Sequence, residues 1–285
     1  MPGIINWDEL WKATHAGGFH HHGKDLAAHW DSRARVFNKR VMKNRARSNS
    51  QVALLGLTSC ETVLDVGAGT GRLALPMARQ AKSVTALDQS SGMLACLQEN
   101  MAAEGIENIR CIQKSWQDVS LGDLEPHDVV LSSNSLGVYD LKEALSKMDV
   151  LARRAVYIFT FSDGKRDDGF RQFMRESKVE GGGGHGRHGK HEVGPASYLV
   201  IYNLLADMGI LADIKIMNWQ SDEHYASLDE AVAEWKQMHE VPAEREPDLR
   251  EFLSLRMVKD EKGLCLHRSH KQVLISWQKG EIVPA

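Results

Sequence analysis

The chain is short of several things, and each shortage excludes a class of protein. Its 285 residues include only four cysteines (Cys60, Cys96, Cys111 and Cys265), scattered and without a C-x-x-C pair. That spacing argues against a disulfide framework and a structural zinc motif, so no metal site is expected. The thiols read as reduced, in a cytoplasmic setting. No apolar run approaches the roughly 20 residues of a membrane span, and the opening MPGIINWDELWK lacks a signal-peptide core. Net charge is only −3, from 35 basic and 38 acidic residues, which removes any global pull toward nucleic acid. No internal repeat is visible. What is left, 42% hydrophobic and 26% charged, is an ordinary globular composition, long enough for one large domain or a domain with an appendage.

One stretch organises the rest: residues 61–80, ETVLDVGAGTGRLALPMARQ. Residues 62–66 form a short apolar run of strand type. It breaks at Gly67-Ala68-Gly69-Thr70-Gly71, and a helical spacing follows through Leu73, Ala74, Met77 and Ala78. Strand, glycine turn and helix open a nucleotide-binding α/β unit. The glycines let the backbone turn sharply beside a ligand, and the N–H groups opening the helix are expected to be unpaired there. The spacing is G-x-G-x-G, not the G-x-G-x-x-G of dinucleotide enzymes. Asp65 lies inside the strand, where it would repel a pyrophosphate and attract a cation. A second strand, residues 83–87, ends in Asp88, about 20 residues on, where an acid grips ribose hydroxyls.

These residues resemble the class I (Rossmann-like) S-adenosylmethionine-dependent methyltransferases, whose first motif VLDVGAGTG is matched without a gap. The resemblance covers roughly residues 60–162. It implies an α/β fold, a doubly wound seven-stranded sheet, mostly parallel with an antiparallel last strand, and helices on both faces. It also implies that S-adenosyl-L-methionine is the cofactor. The backbone of Gly67, Ala68, Gly69 and Gly71 would cradle the methionine portion, and Asp65 would orient its ammonium. Asp88 would accept both ribose hydroxyls, and Gln89 and Met93 would flank the adenine. Ser115, Trp116 and Gln117 would read the adenine edge, and Asn134, Ser135 and Leu136 would lie under the sulfonium. Family members often have Asp where Ser115 stands.

The remaining elements follow the same alternation. A helix from Ser91 to about residue 103 is capped at residues 89–91, residues 108–114 make a third strand, and 127–133 a fourth. Residues 141–151 form a helix, and 155–161 a fifth strand. Residues 195–208 make a helix ended by Gly209, 210–219 a sixth strand and 264–277 the last. A helical insertion, residues 220–262, separates those two strands. It comprises a helix over 227–240, opened by a Ser227/Glu230 capping box, and a second over about 247–259. Residues 1–57 read as an N-terminal helical cap on a domain of residues 58–285. The cap has helices over 4–14, 25–46 and 50–57. Trp30 and Arg33 are candidate pocket residues, and the basic run Arg33–Arg47 is either a solvated face or a contact for phosphates.

Residues 163–194 are different: four consecutive glycines, then His185, His188 and His191. They read as a loop at the ligand end of the sheet, a solvated lid in preference to a metal site. In-line displacement from a sulfonium needs positioning more than proton transfer, so no catalytic residue is assigned. Tyr139, Asp163 and His188 are the weak candidates for a base, with Asp140 and the His20–His22 run behind them. The fourth strand is followed by Ser133-Asn134-Ser135-Leu136, not the Asn/Asp-Pro-Pro-aromatic run found with exocyclic base nitrogens or glutamine amides as acceptors. There is no Pro-Cys pair for cytosine-C5 chemistry. A small-molecule methyl acceptor is therefore expected, with no membrane partner and with nucleic acid disfavoured. An RNA or protein acceptor, and a non-catalytic cofactor-binding protein, are the alternatives.

Overall fold

Five apolar runs become parallel strands because the sheet is covered on both faces. They are β1 (Thr62–Val66), β2 (Ser83–Asp88), β3 (Ile109–Gln113), β4 (His127–Ser133) and β5 (Ala152–Phe161). The computed structural model describes residues 4–15, 26–43, 45–162, 173 and 197–280. Along β1 the side chains alternate between two cores. Leu64 and Val66 pack in the layer of α7 (Leu141–Leu151) and α8 (Ser197–Asp207), whereas Val63 faces the layer of α5 (Ala74–Ala78) and α6 (Ser91–Glu104). Val63, Leu64, Val129, Val130, Leu131 and Val156 are wholly excluded from solvent. Each contributes on the order of 1.5–3 kcal/mol relative to an exposed side chain.

The strand order is β3-β2-β1-β4-β5-β8-β6, where β6 is Asp213–Tyr225 and β8 is Gly263–Gln278; β7 (Met257–Asp260) pairs with β8 outside that path. β1 pairs in parallel with both β2 and β4, so the order reverses beside it. That reversal opens a crevice at the carboxyl ends of β1 and β4, the usual ligand position in such sheets. As expected, the last strand runs antiparallel and inserts beside the fifth.

The expected count of seven strands is corrected to eight among the described residues. β6 (Asp213–Tyr225) runs six residues beyond the expected end, and β8 (Gly263–Gln278) pairs with it along its full length. β5 leaves β8 at Phe161, opposite Gln272, and the short β7 (Met257–Asp260) takes up the free edge of β8 further on. Met257–Asp260 was expected to end a helix. It is extended because the unpaired backbone groups of β8 offer it a ladder. Gly263 closes the β7–β8 turn at φ 123°, where a Cβ would lie 2.7 Å from the Tyr225 carbonyl oxygen. The insertion therefore contains two helices, α9 (Leu228–His239) and α10 (Glu246–Ser254), set on a long antiparallel arm. The arm overhangs the carboxyl edge of the parallel strands. Ser227 caps α9 through the Glu230 N–H, as its motif implied.

The N-terminal region is helical but not as drawn. After α1 (Trp7–His15), the helix expected over 25–46 is split into α2 (Leu26–Asp31) and α3 (Ala34–Lys43), and the one expected over 50–57 lies earlier, as α4 (Arg45–Ala53). The first break lies at Ser32, whose hydroxyl bonds the His29 carbonyl. It frees Asp31 to meet the N-terminus of α6, where Oδ1 accepts from Ser90 Oγ (2.5 Å) and the Gly92 N–H (2.7 Å). At the other wall, Trp11 Nε1 donates to the Val138 carbonyl at 2.8 Å. The N-terminal helices thus grip the loops after β2 and β4. No described helix is long and apolar enough to cross a membrane.

Candidate active site

The three glycines of the turn after β1 all have positive φ, but for different reasons: Gly67 73°, Gly69 57° and Gly71 86°. A Cβ on Gly67 would stand 2.2 Å from Ser135 Cβ, and one on Gly71 would stand 2.2 Å from Leu97 Cδ1. Those two are required by packing. Around Gly69 the nearest atom is Phe37 Cε1 at 3.8 Å, so this glycine alone leaves open space above the backbone. The turn's N–H groups are largely spent inside the protein, contrary to expectation. Gly67 and Ala68 donate to the Leu87 carbonyl, Gly69 to Asp88 Oδ2 and Gly71 to the Ala68 carbonyl. The ladder between β1 and β2 continues into the turn and consumes them. What the turn offers a ligand is shape.

Below the turn lies Asp65, 2% exposed on a strand buried on both sides. Among the described residues no donor hydrogen-bonds its carboxylate. Burial pushes its pKa up to about 7; Arg72 opposes that shift, and Asp88 adds to it. Arg72 is itself sheltered, and burial depresses it to about 10 against the pull of Asp65. Its guanidinium is held in place by Ser133 Oγ (2.9 Å), Ser48 Oγ (3.4 Å) and Gln51 Oε1. Asp88 ends β2 and ties the turn to it. Oδ2 accepts the Gly69 N–H at 2.8 Å and Oδ1 the Ser90 N–H at 2.9 Å. Burial raises its pKa, and these bonds restrain the rise. Each oxygen keeps one further lone pair for a hydroxyl.

The other expected residues fall into two groups. Gln89 is half-buried beside Asp88, Ser115 and Gln117 lie in the turn after β3, and Asn134 is exposed after β4 at φ 56°. These sit on the carboxyl edge, facing the crevice region. Met93, Trp116, Ser135 and Leu136 are committed elsewhere. Met93 packs with Ala34 and Cys96 beneath Trp30 and Phe37. Trp116 and Leu136 belong to the core on the α7 side. Lys147 Nζ holds the Trp116 turn from below by three backbone carbonyls, those of Trp116, Gln117 and Val119. Ser135 Oγ donates to the Val66 carbonyl at 2.5 Å and fills the space above Gly67. Short polar or apolar residues at strand ends carry no sequence mark that separates wall from floor.

Tyr139 is 40% exposed at the rim, its N–H on Gln117 Oε1 and its ring near Lys12. Asp163, His185, His188, His191 and His20–His22 lie outside the described residues. Arg33 is no free pocket residue: it is 7% exposed and engaged by His29 and Glu240. Three residues at the site had no signal in the sequence. Arg72 follows the last glycine, Phe37 reaches Gly69 from α3, and Asp31 anchors α2. Phe37 and Asp31 are brought there by the folding of distant segments.

Comparison with known proteins agrees with this geometry. The family model for a methyltransferase domain matches residues 63–154, from β1 into β5. An uncharacterized protein of Haemophilus influenzae is 28% identical over 258 residues, covering 89% of this chain and 90% of its own. The YcgJ protein from Bacillus subtilis superposes with a TM-score of 0.54 at 16% identity, over 83% of this chain and 99% of that one. A putative methyltransferase from Bacillus halodurans gives 0.52 at 15% identity, over 84% and 100%. The two structural likenesses are ones of fold, and the matched segment is the one that builds the glycine turn, both acids and the crevice. Residues 63–154 thus match a methyltransferase domain, and the fold built around them is similar to that of the class I, Rossmann-like methyltransferases.

Proposed function

We propose that this protein binds S-adenosylmethionine in the crevice beside β1 and methylates a small molecule by in-line displacement. The observation that carries the reading is Asp65, a buried carboxylate left without a donor, next to a glycine whose upper face is open. A buried acid in that state is costly unless a cation joins it, and the ammonium of the methionine portion is such a cation. When bound, the cofactor supplies an electrophilic methyl group on a sulfonium. Asp65 would hold the ammonium, the open backbone at Gly69 would receive the methionine chain, and Asp88 would take the ribose hydroxyls. Gln89 and Ser115–Gln117 would border the adenine, and Asn134 the reacting end. The protein's catalytic task is then alignment and exclusion of water, for which no proton-transfer group is needed.

Support for a small acceptor comes from the basic run of α3 and the start of α4. Five of its charges are met by carboxylates of the same chain: Arg35 by Glu99, Lys39 by Glu230, Arg40 by Glu223, Lys43 by Glu234 and Arg45 by Glu104. A face neutralised in this way attracts phosphates poorly. The four cysteines are free, in keeping with a reducing, cytoplasmic setting.

The test is calorimetry with S-adenosylmethionine, followed by incubation of labelled cofactor with cell extract split into small and macromolecular pools. Binding with label in the small pool is the expected result. Label in RNA or protein, with affinity falling steeply in salt, would overturn the acceptor. Binding without transfer to either pool would leave a cofactor-binding protein, and no binding would overturn the reading altogether.

A further inference from the structure

We propose that the overhanging arm carries a zinc-class metal site. Cys265, His267 and His224 would be its ligands, and a carboxylate, from Asp222 or Asp260, would complete the shell. These residues belong to three strands and lie away from the glycine turn. Across β6 and β8, His224 stands opposite Cys265 and Asp222 opposite His267. Across β7 and β8, Asp260 stands opposite Gly263. Residues two apart on a strand share a face, so all five groups emerge on the same side of the arm. The other side carries Tyr225 and Leu266, packed against Val232 and Trp235 of α9.

The chemistry of the set is that of a borderline-soft divalent ion: thiolate, imidazole and carboxylate. The ligating atoms of Asp222, Cys265 and His267 all lie within 4.8 Å of one another, as do those of His224, Asp260 and Cys265. Cys265 is common to both trios and is almost wholly buried between them. Bonds of about 2.0–2.3 Å to a tetrahedral zinc put ligand atoms about 3.3–3.8 Å apart. Cys265 Sγ and His267 Nδ1, at 3.8 Å, are already at that separation.

Each imidazole also has its own carboxylate. His267 Nδ1 meets Asp222 Oδ1 at 2.7 Å, and His224 Nε2 meets Asp260 Oδ2 at 2.8 Å. Asp260 is fixed in turn by the Lys262 N–H at 2.8 Å. Because Asp222 meets the same Nδ1 of His267 that faces Cys265, metal binding would displace that hydrogen bond, and the acid stands there as a further ligand rather than as an orienting partner. The ion would be structural. It staples β7 to the β6–β8 pair, whose opposite face presents Glu223 and Arg268 to α3.

The experiment uses the full-length chain without an affinity tag, stripped with chelator and titrated with cobalt(II). The expected result is one equivalent bound, with a thiolate-to-cobalt charge-transfer band and tetrahedral d–d intensity, both displaced by zinc(II). Zinc should also raise the melting temperature in a concentration-dependent way. Cys265→Ser should lose the charge-transfer band. His224→Ala and His267→Ala should each weaken binding by about tenfold or more. A variant with His185, His188 and His191 all changed to Ala, and a separate Cys111→Ser variant, should keep the band. Absence of a thiolate band in the wild type, or its survival in folded Cys265→Ser, would overturn the proposal. Should Cys265→Ser fail to fold by circular dichroism, the two histidine variants decide: unchanged cobalt affinity in both would overturn it equally.

Discussion

Asp65 and Glu223 are both sheltered carboxylates beside arginines, yet their surroundings treat them in opposite ways. Around Asp65, beneath the glycine turn, no donor is supplied, and burial drives the pKa up to about 7. Around Glu223, on the arm, the fold supplies three. Oε1 accepts from Arg40 at 3.1 Å and Arg268 at 3.2 Å, and Oε2 accepts from the Tyr225 hydroxyl at 3.2 Å. Burial alone would raise Glu223, but the two guanidiniums outweigh it and hold the carboxyl below its usual range. Both sites are low-dielectric, so the difference lies in satisfaction. The arm uses a completed charge cluster to clasp α3. The crevice keeps a charge incomplete, which is how a site retains free energy for a ligand.

The clasp is where breakage should cost most stability. Glu223→Ala leaves Arg40 and Arg268 facing each other without their acid, and unfolding free energy in urea should fall by about 3 kcal/mol. A loss below about 1 kcal/mol would mean that water already screens the cluster. Asp65→Asn should behave in the reverse manner. It should bind S-adenosylmethionine about 30- to 100-fold more weakly by calorimetry, the loss of one charge-assisted contact, without lowering stability at pH 8. Unchanged affinity would remove Asp65 from the ammonium.

A pH series sharpens the contrast. In the unfolded chain Asp65 ionises near 3.8, whereas in the fold it holds its proton up to about 7. Between those values the folded state binds the extra proton, so stability falls as pH rises through the window and levels off above 7. Relative to Asp65→Asn, the wild type should lose about 2 kcal/mol from pH 4 to pH 8, roughly half the ideal linkage value because ionisation draws in water. Saturating cofactor should flatten that slope, since a bound cation keeps Asp65 ionised. Parallel curves for the two proteins would show that Asp65 is not shifted. The smallest effect belongs to the exposed rim of the clasp. Lys39 pairs with Glu230 with more than half of its side chain in water, so Lys39→Ala should barely move the melting temperature.

How far the sequence could be read follows the range of the forces involved. The parallel half was legible because its signals are local: strand runs bounded by turns, a glycine pattern, an acid at the end of β2. The boundaries of β4 and α7 match the expected ones, since a buried strand and an amphipathic helix each declare their own periodicity. The arm was misread where identity depends on a partner. Met257-Val258-Lys259-Asp260 has no strand pattern of its own and is extended only because β8 has an edge to offer. The split of the N-terminal helix likewise has its reason elsewhere, in the pull of the α6 terminus on Asp31.

The site divides along the same line. Sequence alone determined the methyltransferase-like motif, the glycine turn and its two acids, because a turn that needs positive φ can be built only from particular residues at particular spacing. Tertiary structure decided which glycine leaves open space above it and which merely packs, and that the turn's N–H groups are already engaged. It also brought Phe37 to Gly69, and set Cys265 opposite His224 from a strand some 40 residues away. Contacts of that kind are fixed by register and by closure of long loops. Neither leaves a mark on the neighbouring residues of the chain.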